Sequence, residues 1–362
     1  MPQGFTVSTS GQPRLSPLKI LLSLLFCIAI IFGLRHYSAS PQLQKIEGYA
    51  QGTTYHISWW SEKMVPTQDI EQAFNATLAQ IDAELSTYRD DSYISKLNHS
   101  SSTDWQPASA DFIQLIEIAK DINHKTGGCY DPTIGPLFNL WGFQKDEFNL
   151  PTAAEIASIK AEIGMDKIEI DHTGQRIRKT LPGLQLNFSS MGEGYSISKL
   201  AAVLENHHIT NYLVEFGGDM KIRGHKPDGK KWRIAIDRPD KQDDERQPYS
   251  IITINDENGV TLDTSGTYRH HFDENGKEYS HILDPRTGAP VTHNLVSASV
   301  FGTDARVSDA WATAMLCLGP NAGQQVAKEQ QLEVFFIEHD KDAFHNSKSA
   351  ALTASKRVKF EN

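Results

Sequence analysis

Cysteine is scarce in this 362-residue chain, which has three. Cys27 sits in an apolar N-terminal stretch, so Cys129 and Cys317 leave room for one disulfide at most, and a disulfide scaffold is excluded. Cys317 falls in the apolar run Ala312 to Leu318, where a buried free thiol is the expected state. Clustered positive charge is also missing. The formal net charge is −10, and without a basic tract nonspecific nucleic-acid binding has no footing. No repeat with a period of about 20 to 50 residues and no low-complexity block is evident. The chain has no His-Glu-x-x-His, no paired Cys-x-x-Cys and no Gly-x-Ser-x-Gly, so zinc and serine hydrolysis lack motif support. Gly224 to Lys231 misses a P-loop: Lys231 stands where Ser or Thr must bind the cation, and the segment reads as a hairpin turn between strands.

Long hydrophobic runs are limited to one, Leu18 to Leu34, with Arg14 before it and Arg35-His36 after it. Its length suits a short membrane span or the core of a signal peptide, and either exports the rest. Phe26 before Cys27 argues against a lipidated cysteine, and Ser38-Ala39-Ser40 is a weak cleavage site, so an uncleaved anchor is expected. The organisation follows: a short tail over 1–17, the anchor over 18–34, a linker over 35–45, a catalytic domain over 46–345 and an unpatterned polar tail over 346–362.

With 39% hydrophobic and 22% charged residues, the remainder is globular. Ile70, Phe74, Leu78, Ile81 and Leu85 recur at helical spacing after Pro66, and Phe112, Leu115, Ile116, Ala119 and Ile122 mark a second helix that stops at Gly127-Gly128. A third opens on the capping-box pattern Thr152-x-x-Glu155. Strands are expected at 53–60, 167–170, 184–188, 212–216, 231–236, 249–254 and 296–301. Pro227-Asp-Gly229 and Glu274-Asn-Gly-Lys277 read as hairpin turns. Helices inserted between strand groups, without strict βαβ alternation, give an α+β class: a single catalytic domain of mixed, largely antiparallel sheets.

Two short runs carry chemistry. Ser189-Ser-Met-Gly-Glu-Gly-Tyr195 is a small polar turn opening a helix, and Ser308-Asp-Ala-Trp-Ala-Thr313 puts a carboxylate and a hydroxyl four residues apart on one helical face. A carboxylate, a hydroxyl and a turn carbonyl make an oxygen-only set that suits Mg²⁺ beside phosphate. Taken alone, Asp309 is more often a helix cap or dipole partner, and His281 more often a satisfied strand histidine.

Together with Gly48-Tyr-Ala-Gln-Gly-Thr-Thr-Tyr55, Leu85-Ser-Thr-Tyr-Arg89, Asp131 to Gly142, Val214-Glu-Phe-Gly-Gly218, Thr261 to His271 and Tyr279 to Gly288, these runs resemble the ApbE-type flavin transferases in order, from about Gly48 to about Phe336. That family splits FAD and attaches FMN through a phosphoester to Thr or Ser of a target protein. The resemblance implies Mg²⁺ on Asp309, Thr313 and the Ser190 carbonyl, with His281 acting on the attacking hydroxyl. It implies flavin or nucleotide contacts from Gln51, Tyr88, Cys129, Tyr130, Asp131, Asn187, Glu193 and Leu283, and places Tyr88 with Cys129, Tyr130, Asp131 and Leu283 in one isoalloxazine slot. Gln51, Asn187 and Glu193 depart from residues common in the family, which are Met, Asp and Lys. The implied acceptor is an exported flavoprotein such as a redox-pump subunit, reached by a periplasmic domain anchored in a bacterial inner membrane. An FAD pyrophosphatase and a noncatalytic FAD-binding protein are the alternatives.

Overall fold

The computed structural model describes residues 41–240, 247–268, 271–274, 276–341 and 343–361, together with Ser16, Leu21, Leu22 and Leu25. The anchor expected at 18–34 lies almost wholly outside the described residues, and no helix among them is long and apolar enough to cross a membrane.

Residues 43–362 form one unit around an eight-stranded sheet. Its strands are β1 (Gln44–Ala50), β2 (Thr53–Trp60), β3 (Asn211–Phe216), β4 (Asp219–Arg223), β5 (Val260–Gly266), β6 (Leu295–Gly302), β7 (Glu333–Asp340) and β8 (Ala343–Lys348). Spatial order follows chain order, and every neighbouring pair is antiparallel. The β1–β2 turn has two central residues, Gln51 and Gly52, at φ 52° and 82°. Positive φ at both positions matches the right-handed twist of the flanking strands, and Gln51 adopts it without being glycine.

One face of the sheet carries helices. These are α1 (Thr67–Leu85), α2 (Ala110–Lys125), α3 (Ser189–Asn206) and α4 (Ala305–Glu329), the last broken at Gly319-Pro320. Alternation sets the faces: Tyr55, Ile57 and Trp59 of β2 meet Ile70, Phe74 and Leu78 of α1 and Ile197, Leu200 and Leu204 of α3. On the opposite face a three-stranded sheet of Arg233–Asp237, Pro248–Ile254 and Val358–Glu361 covers Met220, Ile222, Val260, Leu262 and Phe335. The mixed, mainly antiparallel α+β class therefore holds.

Four local expectations change. Leu184 to Phe188 is not a strand, because Leu186 pairs with a side chain: Asn98 Nδ2 donates to its carbonyl and its N–H donates to Asn98 Oδ1, both at 2.8 Å. Pro227-Asp-Gly229 turns the chain, with the Gly229 N–H donating to Lys226 O, but the flanking strands enter different sheets and do not pair as a hairpin. The stretch expected as an unpatterned tail enters β8, a short helix at Ala350–Ala354 and the strand Val358–Glu361, where Val358 fills the far core. Cys317 is not a free thiol, since it is bonded to Cys129, 188 residues away in sequence. By contrast, His271–Glu274 and Lys277–Ser280 do form a hairpin, and Thr152 with Glu155 makes both bonds of the capping box.

Candidate active site

Where α3 crosses α4, Gly194 permits the contact. A Cβ there would stand 2.2 Å from the Ala305 carbonyl oxygen and 2.9 Å from the Asp309 Cβ. At this crossing the Gly194 N–H donates to Asp309 Oδ2 at 3.0 Å. Gly194→Ala must push the helices apart against backbone, and overpacking of this kind costs about 1–3 kcal/mol. Lower stability in urea and weaker activity are both expected, and an unchanged unfolding midpoint would show that the crossing has slack.

Strand β5 supplies the floor beneath α4. Thr261, Asp263 and Ser265 alternate onto one face. Thr261 Oγ1 lies 2.7 Å from Ser308 Oγ, and Ser265 Oγ lies 3.1 Å from Thr313 Oγ1. Between them Asp263 is fully buried, and neither of its carboxylate oxygens has a hydrogen-bond partner among the described residues. Burial, then the charges of Asp219 and Asp309, holds its carboxyl well above the usual range. Asp219, also buried, accepts the Thr264 N–H at 2.7 Å.

Asp309 itself is 6% exposed and is pushed up to about 8, chiefly by burial and next by the Glu193 charge, with the Gly194 N–H opposing both. Glu193 packs over Gly217, where a Cβ would come within 2.0 Å of its carboxylate. Several acidic groups thus face one another in a low-dielectric interior, an arrangement that a dication offsets. Asp309, Thr313 and the Ser190 carbonyl offer hard oxygen donors of the kind that could hold such a dication. Sequence reasoning singled out Asp309, Thr313 and Glu193 but missed Asp219, Asp263 and Ser265. The alternation of polar residues in Thr261-x-Asp263-x-Ser265 was the available signal.

Two pockets adjoin this core and share Asn187 and Ser189 in their walls. The first encloses about 600 Å³ of empty space, open solvent included, and is lined by Cys129, Tyr130, Asp131, His281, Leu283 and Thr313, with Ser190 beside them. The second encloses about 1620 Å³ on the same measure and is lined by Gln51, Tyr88, Arg89, Glu193 and Phe216. Of the residues that the resemblance implies around the isoalloxazine, Tyr88 lines the second pocket and Cys129, Tyr130, Asp131 and Leu283 line the first. Tyr88 sits in the turn after α1, 99% exposed on the rim of the second pocket, while the other four belong to the first.

Local bonds fix several of these residues. Ser190 Oγ donates to the buried Tyr130 hydroxyl at 3.0 Å, and burial raises the Tyr130 pKa. Asp131 Oδ1 accepts from the Thr133 N–H and hydroxyl at 2.8 and 2.6 Å, while burial lifts its carboxyl. Asn187 Oδ1 accepts the Ser189 N–H at 2.9 Å, satisfying one of the open donors at the start of α3. Gln51 Oε1 accepts from Ser196 Oγ at 2.8 Å, tying the β1–β2 turn to α3. His281 follows the hairpin of residues 271–280 and reaches the first pocket together with Thr313.

A family model described as the ApbE family matches residues 51–336. An FAD:protein FMN transferase of Salmonella typhimurium is 37% identical over 311 residues, which cover 85% of this chain and 87% of that protein. One of Escherichia coli is 34% identical over 309 residues, 84% and 87% of the two chains. Among solved structures, the flavin transferase ApbE from Vibrio cholerae superposes with a TM-score of 0.77 at 30% identity, covering 86% of this chain and 99% of that one. The apo flavinyl transferase ApbE of Pseudomonas stutzeri gives 0.78 at 30% identity, covering 86% and 96%.

Proposed function

The chain belongs to the ApbE family, and we propose that it moves FMN from FAD to a Thr or Ser hydroxyl of an exported acceptor protein, with Mg²⁺ as cofactor and AMP as the leaving product. The observation that carries this reading is the convergence of His281, Thr313 and Ser190 on one pocket wall beside the buried Asp309. The first pocket offers an apolar wall with Tyr130 and Leu283 for the isoalloxazine, and the second takes the adenylate half. Asn187 and Ser189 line both pockets, which supports a pyrophosphate path between the two halves. Bound there, Mg²⁺ would neutralise charge developing on the phosphates.

The acceptor hydroxyl forms a new bond to the FMN-side phosphorus, and the phosphoanhydride bond to AMP breaks. His281 takes or orients the hydroxyl proton, a role within reach of its place on the first pocket's wall. The remaining residues contribute position: Gly194 and Ser265 hold Asp309 and Thr313 in their orientations. The direct test incubates the chain with FAD, Mg²⁺ and a candidate exported flavoprotein, such as a redox-pump subunit. Mass spectrometry should find FMN added to the acceptor, and chromatography an equal amount of AMP. FMN released without acceptor would instead assign an FAD pyrophosphatase, whose nucleophile is water at the same site.

Export by an N-terminal anchor, with the catalytic unit in the periplasm, completes the proposal. A disulfide between Cys129 and Cys317 supports it, because such bonds persist in oxidising compartments. Since β1 begins at Gln44, a chain starting at Pro41 should be soluble and should modify an acceptor in vitro. Loss of FAD binding in that folded chain would show that the leader contributes to the site.

A further inference from the structure

The Cys129–Cys317 bond lies in the wall of the first pocket, and both cysteines line it. Cys129 follows Gly127 and Gly128, which hold left-handed φ values of 59° and 87° at the end of α2. The loop they open carries Tyr130 and Asp131. Its hydrogen bonds lead to α2, through Asn123 Nδ2 donating to Tyr130 O, and towards α3, through the Asn187 N–H donating to Pro132 O and Ser190 Oγ donating to Tyr130. The disulfide leads elsewhere, to α4. Cys317 stands one helical turn beyond Thr313, so it shares that residue's face.

We propose that this disulfide is a redox-sensitive positioning bond for FAD, fixing the wall of Tyr130 and Asp131 against the helix that presents Thr313. The proposal rests on the flavin reading above. With the bond closed, the two walls keep one spacing and the pocket is preorganised, which removes an ordering cost from ligand binding. A dithiol reductant opens it by exchange: one thiolate attacks a sulfur to give a mixed disulfide, the second thiol displaces it, and two electrons and two protons leave Cys129 and Cys317 as thiols. The reductant ends as a disulfide. Coupling is reciprocal, so FAD must protect the bond by the factor by which the bond tightens FAD. Geometry agrees, since both cysteines are buried, at 3% and 5% exposure, and a flavin seated in the pocket covers them.

The experiment measures FAD affinity by fluorescence on the full chain, oxidised and after dithiothreitol, beside transfer kinetics and a thermal melt of each state. Reduction should weaken FAD binding by roughly 5- to 150-fold, the usual span of a coupling between sites. KM for FAD should rise while kcat is largely retained, and saturating FAD should slow reduction by dithiothreitol. Cys317→Ala should bind FAD as weakly as the reduced chain and ignore the reductant. Equal FAD affinity in both states, a fall in kcat at unchanged KM, or reduction indifferent to FAD would overturn the proposal. Absence of FAD binding by the oxidised chain would overturn the flavin reading, and the proposal with it.

Discussion

Asp309→Asn is expected to reduce flavin transfer by about 10³-fold or more. The substitution keeps the side chain's shape and an oxygen for the Gly194 N–H, but it removes the only carboxylate assigned to the metal. Loss of several kcal/mol of charge stabilisation at phosphate corresponds to at least three factors of ten in rate. A second readout separates this from a folding defect. In the wild-type chain, the Asp309 carboxyl is pushed up to about 8 without a cation, from an ordinary value near 3.9. A folded pKa raised above the unfolded one contributes stability that is complete below about 4 and is lost as pH climbs through about 8. Stability against unfolding, measured without Mg²⁺, should therefore fall over that window, less so in Asp309→Asn. Adding Mg²⁺ at pH 8 should raise the melting temperature of the wild-type chain and leave the variant unmoved. Full activity in the variant at low Mg²⁺ would end the metal assignment.

His281→Ala should slow transfer by roughly 10²- to 10⁴-fold, the usual worth of a positioned proton-transfer group. FAD affinity should change little, since His281 shares the first pocket with many other lining residues and each tenfold loss requires about 1.4 kcal/mol of contact. Affinity and rate are measured on the same preparation. A variant that transfers normally at saturating FAD would make His281 a pocket wall and leave the proton acceptor unnamed.

Much of this molecule was written in local pattern. The helix periods of α1 and α2, the capping box at Thr152 and the pairing of His271–Glu274 with Lys277–Ser280 appear where residue spacing put them, because each depends on neighbours within a few positions. The errors came from partners far away in sequence. Leu186 found its strand-like bonds on Asn98, and Val358 found a core beneath β7, so neither segment's own pattern revealed its state. Nothing near Glu193 in sequence shows that its carboxylate lies against Gly217 and that its charge raises the Asp309 carboxyl.

The sequence by itself determined the α+β class, which follows from spacing along the chain, and the ordered motifs carrying Asp309, Thr313 and His281, which carry the resemblance to the family. Only the tertiary structure decided what surrounds them. It buried Asp263 beneath α4, set Tyr88 on the wall of the second pocket and Tyr130 on that of the first, and joined Cys129 to Cys317. The physical reason is the same in each case. Burial, field strength and covalent reach depend on distances through space, and the antiparallel sheet with its crossing helices brings together residues that sequence order keeps far apart.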